Sequence, residues 1–388
     1  MKKSSTLVCR VLTKFARFAH GEQRVGDPDQ NGCMGTPVTA KEILRLRLQA
    51  QWIDPVAGMD AASVVRHLLA MQAQDFSQGL WAIGVRTKAA ARADVLAAFE
   101  RGEIVRTMPM RGTLHFVPPE ELRWMLALTA ERSLQSAATR FRTLGLDQST
   151  LDRAADVARE ALAGGRALSR GDFLKVLDTN GIDPAGQRGY HVIFYLTQLA
   201  LVCWGPPSGT QQALVLVDEW IAPTPQLDHQ EALERFALRY FTGHGPATER
   251  DLAWWTKLTI TDIRAAIAGL GDRLTALELD GVTYFGASDT EVEGPPRSGI
   301  QLLPGFDEYL LAYQDRSLAL EDENFQRIVP GNNGMFMPMI VSNGRVVGTW
   351  RRSAKTRRPE PEHFREASAA RLARFATAAK RYDAFVDN

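Results

Sequence analysis

Cysteine is scarce. Cys9, Cys33 and Cys203 are the three in 388 residues, too few and too scattered for a disulfide framework or a zinc site. No pair of histidines has metal-ligand spacing, so neither a structural metal nor a cofactor is expected, and a reducing cytoplasm suits the thiols. No run approaches the ~20 consecutive apolar residues of a membrane span. The usual hydrolytic signatures are also missing: no GxSxG elbow, no HExxH and no GxxxxGK[ST] loop. An enzyme built from this chain must draw its catalysts from carboxylates, amides or histidines held in a binding cleft. The net charge is only +1, which neither favours nor excludes nucleic acid, because phosphate contacts need one cationic face rather than a cationic protein.

The composition is otherwise that of an ordinary globular protein, with 45% hydrophobic and 23% charged residues, and its length suits two to three domains. Arginine is clustered. Arg101, Arg106, Arg111, Arg123, Arg132, Arg140 and Arg142 fall in one stretch, and Arg345, Arg351, Arg352, Lys355, Arg357 and Arg358 in another that has no acid from Arg345 to Arg358. Each cluster reads as a solvated basic surface or as a phosphate-binding face. Residues 1–38 differ from the rest. They carry Lys2, Lys3, Arg10, Lys14 and Arg17 with no acid before Glu22, resemble a transit peptide in composition, and lack the apolar centre of a secretory signal. They read as a disordered extension, with Met34 as an alternative start.

From Val38 onward the pattern repeats three times: two or three helices, then a short β-hairpin. The first unit, 39–145, has helices over Ala40–Gln51, Ser63–Met71, Leu80–Val85 and Ala91–Arg101, then two strands within Ile104–Val117. The second, 146–228, has helices over Leu151–Leu162, Arg170–Asn180 and Gly189–Leu199, then strands about Val202–Trp204 and Ala213–Val217. The third, 229–294, has helices over Glu231–Phe241, Glu249–Trp255 and Asp262–Leu270. Its strands Leu274–Leu279 and Val282–Phe285 meet at Asp280–Gly281, a dipeptide suited to a tight hairpin. Helix, helix, helix, hairpin is the winged-helix order. Residues 295–388 read as a small β-rich, barrel-like domain, with strands Ile300–Leu303, Met337–Val341 and Arg345–Trp350 and a terminal helix over Glu362–Phe385. The expected fold class is α+β: three tandem winged-helix units and a β-rich C-terminal domain.

The stretch Leu69–Gln78, LAMQAQDFSQ, is the most informative. Inside a helix, Gln72 and Gln74 point to nearly opposite sides; on an extended segment they share a face. If the helix ends near Met71, both amides reach one small target and can hold a water by donating and accepting hydrogen bonds. The other reading is a polar helix terminus whose glutamines cap backbone groups.

The motifs QAQD at Gln72–Asp75, MRGTLH at Met110–His115, CWGP at Cys203–Pro206 and RYFTGHGPAT at Arg239–Thr248 are similar to those of the AlkZ-like branch of the tandem winged-helix DNA glycosylases. DLAWW at Asp251–Trp255, LLPGFDEYLL at Leu302–Leu311 and VVGTWRR at Val346–Arg352 extend the resemblance from about residue 39 to the end. It implies a C-shaped molecule and a catalytic Gln–aliphatic–Gln element at Gln72–Ala73–Gln74. The implied activity is monofunctional hydrolysis of the N-glycosidic bond of alkylated purines in double-stranded DNA, in a family whose members range from antibiotic self-resistance enzymes to removers of general alkylation damage and crosslinks.

An N7-alkylated purine is cationic and its bond already labile. The task is then to orient a water, with Asp75 or Asp307 placed to stabilise an oxocarbenium-like sugar by charge. Arg106, Arg111, His115, Arg351, Arg352 and Lys355 are the expected DNA contacts, Arg111 and His115 reading equally well as a structural pair. Glu308 or Asp307 reads as a turn residue or a salt-bridge partner of Arg316, and Trp254 and Trp255 as core. A bulky adduct implies a wide basic cleft rather than a snug flipping pocket. A monomer is the simplest expectation. The rival functions are a non-catalytic winged-helix DNA-binding regulator and a protein-interaction scaffold.

Overall fold

The computed structural model describes residues 35–53, 59–88, 91–288 and 299–387. Most of the N-terminal extension, residues 1–34, lies outside the described residues. Its last part does not read as the sequence suggested: Thr36–Pro37 forms a short strand, β1, parallel to a strand of the third hairpin through Thr36↔Leu277 and Pro37↔Glu278.

The first unit comprises α1 (Ala40–Ala50), α2 (Ala61–Leu68), β2 (Met71–Gln72), α3 (Phe76–Gly84), α4 (Arg92–Glu100) and the hairpin β3 (Val105–Met110) and β4 (Thr113–Val117). Local chemistry sets its boundaries. Thr39 and Glu42 form a reciprocal capping box on α1, which satisfies two of the helix's orphan N–H groups. Asp60 caps α2 by accepting from the Ser63 N–H at 2.7 Å. A 22-residue helix, α5 (Leu122–Thr143), then follows where the sequence reading named none.

The second unit contains α6 (Gln148–Leu162), β5 (Leu168–Ser169), α7 (Arg170–Thr179, capped by Ser169), α8 (Arg188–Gln198) and the hairpin β6 (Val202–Ser208) and β7 (Gln211–Leu216). The third contains α9 (His229–His244), α10 (Glu249–Thr256, capped by Thr248), α11 (Ile260–Leu270) and the hairpin β8 (Leu274–Leu279) and β9 (Val282–Ala287). The cap of α11 is Thr259, whose hydroxyl accepts from Asp262 N–H at 3.0 Å; Thr261 lies inside the helix.

The hairpins of the first two units are not separate. Arg106 of β3 pairs with Trp204 of β6, giving one six-stranded sheet in the order β2-β4-β3-β6-β7-β5. The C-terminal part forms the antiparallel sheet β10 (Ile300–Leu303), β11 (Met339–Ser342), β12 (Arg345–Arg352), β13 (Pro359–His363), with a one-turn helix, α12 (Glu308–Leu311), between β10 and β11. The terminal helix, α13, starts at Ala369 rather than Glu362, because Pro359–His363 pairs along β12 as an edge strand, where proline is tolerated.

The C-terminal sheet is not an appendage. Leu44, Leu68, Ala73, Leu80 and Phe116 of the first unit share one core with Leu302, Tyr309, Ile340, Trp350 and Phe385. Helix α13 closes that core. Its Tyr382 ring packs edge-on against Trp81 and Trp350, and Arg381 donates to the carbonyls of Val85 and Thr87 just beyond α3. Among the described residues no helix is long and apolar enough to cross a membrane.

Candidate active site

The site begins where α2 stops. Leu69 takes φ +64°, which no helix accommodates. The chain turns and emerges extended, and β2 adds to the edge of the first hairpin through Met71↔Phe116 and Gln72↔His115. The pairing continues to Ala73, whose N–H reaches Leu114 O at 2.7 Å. Asp75 then ends the extended run by capping α3, accepting from Gln78 N–H at 3.1 Å. Gln72–Ala73–Gln74 is therefore extended rather than helical. Ala73 turns into the core at 1% exposure, Gln72 is 9% exposed and Gln74 is open to solvent.

Both amide side chains are pinned by their oxygens. Arg111 Nη2 donates to Gln72 Oε1 at 3.1 Å, and the Leu114 N–H donates to Gln74 Oε1 at 3.1 Å. An amide whose oxygen accepts from a fixed donor cannot flip without facing N–H against N–H. Each therefore turns its NH2 group away from its anchor, while each oxygen retains a second lone pair.

The anchors are themselves held. Arg111 and Gly112 form the two-residue turn of the β3–β4 hairpin, both at positive φ (+57° and +64°). This is the twist a tight hairpin requires, and it is unfavourable for arginine. Arg111 also donates to Leu311 O at 3.3 Å and meets His115 Nε2 at 2.9 Å. His115 is fully buried and its Nδ1 sits 2.8 Å from Thr113 O. Nδ1 thus carries the proton and Nε2 offers its lone pair to Arg111. Burial and the Arg111 charge hold the imidazole well below its ordinary pKa, so it is neutral.

Beneath Gln72 lies a buried carboxylate. Glu308 is 2% exposed. Its Oε1 accepts the Gln72 N–H at 2.7 Å and its Oε2 accepts Trp255 Nε1–H at 2.8 Å. Burial pushes the carboxyl pKa up, with the Arg111 charge opposing. On the other strand of the hairpin, Arg106 Nη2 clamps the motif backbone, donating to Ala73 O at 2.6 Å and Gln74 O at 3.2 Å. Burial lowers its pKa to about 10, against the pull of Asp75.

These placements revise several expectations. Arg106 is 3% exposed and His115 is fully buried, so neither offers its side chain to a phosphate in this conformation; both hold the motif and its anchor. Arg111 and His115 adopt the structural-pair arrangement. Asp307 is fully buried in a bidentate pair with Arg86, both contacts 2.8 Å, which neutralises its charge away from any sugar. Arg316 pairs with neither Asp307 nor Glu308; it donates to Leu310 O. Trp255 is core, whereas Trp254 is only half-buried. Arg351, Arg352 and Lys355 are exposed, at the end of β12 and in the loop beyond it. The first arginine cluster is dispersed, Arg101 pairing with Glu103 and Arg123 with Asp218.

In sequence Glu308 reads as a turn or salt-bridge residue and Arg86 carries no signal, because no local pattern announces partners 236 and 221 residues apart. Two concave sites, one lined by Trp81, Ile300 and Arg381 and one by Arg47, Asp251 and Tyr284, include neither glutamine. Among the described residues, no group of three or more histidines, cysteines or carboxylates could hold a metal ion.

The chain as a whole has counterparts among known proteins. An interstrand DNA cross-link repair glycosylase from Streptomyces sahachiroi is 27% identical over 329 residues, spanning 80% of this chain and 87% of that protein. The solved structure of Streptomyces sahachiroi DNA glycosylase AlkZ superposes with a TM-score of 0.76, at 23% identity over 90% of this chain and 97% of that one, so the fold is shared. The profile of the DNA glycosylase AlkZ-like family matches residues 65–385, from within α2 to within α13, and the chain belongs to that family.

Proposed function

We propose that this chain is a monofunctional glycosylase that hydrolyses the N-glycosidic bond of N7-alkylated purines in double-stranded DNA, Gln72 and Gln74 positioning the water. The observation that carries this reading is the pair of amides on one face of an extended segment, each with its oxygen already anchored. Each NH2 group can donate to a water oxygen, and the spare lone pair on each carbonyl can accept a water proton. The water adds at the sugar C1′, the C1′–N9 bond breaks, the electron pair neutralises the cationic purine, and one proton leaves to solvent. A leaving group that departs neutral needs no general acid, which fits a site whose histidine is held unprotonated.

The relative named for interstrand cross-link repair favours large lesions, including crosslinks, as substrates here too. Exposed Arg351, Arg352 and Lys355 serve as phosphate contacts. Tyr382 lies within electrostatic reach of both Arg352 and Asp75, which supports placing the second basic cluster beside the motif. Asp75 remains the acidic group closest in sequence to the reacting face. The architecture that goes with this reading is three tandem winged helices, at 39–145, 146–228 and 229–294, and a C-terminal domain at 295–388, curved around DNA. The protein acts as a monomer in the cytoplasm and needs no cofactor.

The test is release of 7-methylguanine, and unhooking of an N7-crosslinked duplex, by the wild type and by Gln72→Ala/Gln74→Ala. Release that the double variant loses supports the reading. Full activity in a folded double variant removes the glutamines from the mechanism, and sequence-specific binding without any base release by the wild type makes the chain a regulator.

A further inference from the structure

An apolar segment that the reaction as described does not use is linked to the glutamines through Arg316, α12 and Arg111. Met335 and Met337 are 54% and 39% exposed, two of the few large apolar side chains so open to solvent. Between them, Phe336 is fixed from two directions. On one side, the Arg316 guanidinium lies 5.2 Å from its ring and 5.7 Å from that of Trp254. Arg316 and Arg111 are tied to neighbouring carbonyls of α12, Leu310 and Leu311, and Arg111 is bonded to Gln72. On the other side, the Phe336 ring packs 6.4 Å from that of Phe306. The adjacent Gly305 sits so close that a Cβ there would fall 2.6 Å from Phe336 O. Gly305 N–H donates to Gln78 Oε1, and Gln78 N–H to Asp75. The Met–Phe–Met segment is thus joined to both ends of the Gln72–Asp75 motif.

Cations complete the face. Lys257, in the left-handed conformation at the end of α10, holds its ammonium 3.7 Å from the centre of the Trp254 ring. Lys257 and Arg316 both feel the Arg111 charge, with Asp251 and Asp315 facing Arg316. Soft thioethers and aromatic rings near the cationic Lys257 and Arg316 complement an apolar group attached to a phosphodiester strand.

We propose that Met335, Phe336 and Met337, with Trp254, form the subsite that receives the bulky apolar part of the purine adduct, with Lys257 on an adjacent phosphate. This rests on the glycosylase reading and narrows its substrates to guanines carrying large apolar or aromatic N7 groups. The test uses duplexes bearing either 7-methylguanine or the N7-guanine adduct of styrene oxide, with wild type and Met335→Ala/Met337→Ala. Both methionines are exposed, so the variant folds. The kcat/KM ratio of bulky to methyl adduct is expected to fall at least tenfold, and Lys257→Ala to weaken both duplexes alike and to lower the salt slope by about one. An unchanged ratio overturns the proposal. Equilibrium binding of the two duplexes gives the same selectivity without turnover. If the wild type releases neither base, the activity reading fails on its own; a binding preference for the bulky duplex that the double variant loses still supports the subsite, and equal binding by the wild type overturns it.

Discussion

Arg111→Lys separates the two roles that Arg111 can play. As a phosphate contact, it would tolerate lysine well, since the charge survives and an ammonium binds phosphate. As the anchor of Gln72, it would not. The planar fork reaches Gln72 Oε1 at 3.1 Å, His115 Nε2 at 2.9 Å and Leu311 O at 3.3 Å together, and one ammonium on a flexible stem does not reproduce that geometry. A hydrogen bond from a charged donor contributes about 1.5–3 kcal/mol. Losing that restraint on the Gln72 amide in the transition state lowers kcat about 10- to 150-fold, at about 1.4 kcal/mol per decade. KM and the salt dependence of binding should change little, because the charge is kept.

The assay is single-turnover release of 7-methylguanine at two salt concentrations, with urea unfolding to establish that the variant is folded. A kcat within threefold of wild type in folded Arg111→Lys would refute the anchoring argument. Arg111→Met goes further and removes the positive charge that opposes the effect of burial on Glu308, so the fold is expected to lose stability. The pH dependence follows from the raised pKa of Glu308. The native state then binds the proton more tightly than the unfolded state, so this group's contribution to stability falls as pH rises from its ordinary value through its folded one. Removing Arg111 raises the folded value further, so Arg111→Met should be more destabilised at pH 8 than at pH 5.

Acid should unfold the protein through its histidines. Burial lowers His67 to about 4 and His244 to about 3, and His115 lies well below its ordinary value. Their stabilisation is complete above about pH 6.5 and declines below it, by about 2 kcal/mol at pH 5 for each of His67 and His244, His115 adding in the same direction and Glu308 partly offsetting; urea midpoints at pH 7 and pH 5 measure the difference. Gly79→Ala ought to lose stability although alanine favours helices by up to about 1 kcal/mol. Its Cβ would sit 2.7 Å from Phe116 Cε2 and 3.1 Å from Ala73 Cβ, overpacking that costs about 1–3 kcal/mol and that displaces the motif through Ala73; thermal unfolding and base release should both fall, and a rise in Tm would contradict this. Replacing Arg351, Arg352 and Lys355 by alanine should reduce the slope of log affinity against log salt by about one for each lost phosphate contact, and an unchanged slope would place that loop off the DNA.

What was legible in the sequence was local. Thr39, Ser169 and Thr248 announce their helices because a cap acts within three residues, and Asp280–Gly281 announces its hairpin because the turn needs positive φ at both positions, +51° and +76°. The extended form of Gln72–Ala73–Gln74 was legible only conditionally: it requires the helix to stop by Met71, and α2 stops at Leu68, where Leu69 takes positive φ. Boundaries set by distant partners were not legible. The strand Pro359–His363 exists because β12 is there to pair with it, and its glutamates and histidine read equally well as the start of a helix. Helix α5 carries a legible signal, Leu122, Met125, Leu126 and Thr129 forming a buried stripe at helical spacing. Charge was the least legible. A run of arginines looks alike whether its members clamp carbonyls, as Arg106 does, or project into water, as Arg352 does, because burial is decided by strands that meet only in the folded sheet.

The charges at this site work from behind its surface. Arg106 holds the backbone of Ala73 and Gln74, Arg111 holds the Gln72 amide, Glu308 holds the Gln72 N–H, and Asp307 is spent on Arg86. Of the two neutral carboxamides Gln74 is exposed and Gln72 buried, and the exposed carboxylate of the motif, Asp75, is engaged in capping α3. On the proposed chemistry that division is the one a cationic lesion favours. The purine's positive charge passes to the sugar as the bond breaks, so a carboxylate at the purine would stabilise the ground state as strongly as the transition state and gain no rate. Neutral amides bind the water without that penalty, and the buried pairs keep them from turning. If the reasoning holds, Gln74→Glu, which keeps the length and adds charge at the exposed position, binds alkylated duplex at least as tightly as wild type and releases the base more slowly. A variant that binds more weakly and cleaves faster would show that the charge is needed on the surface after all.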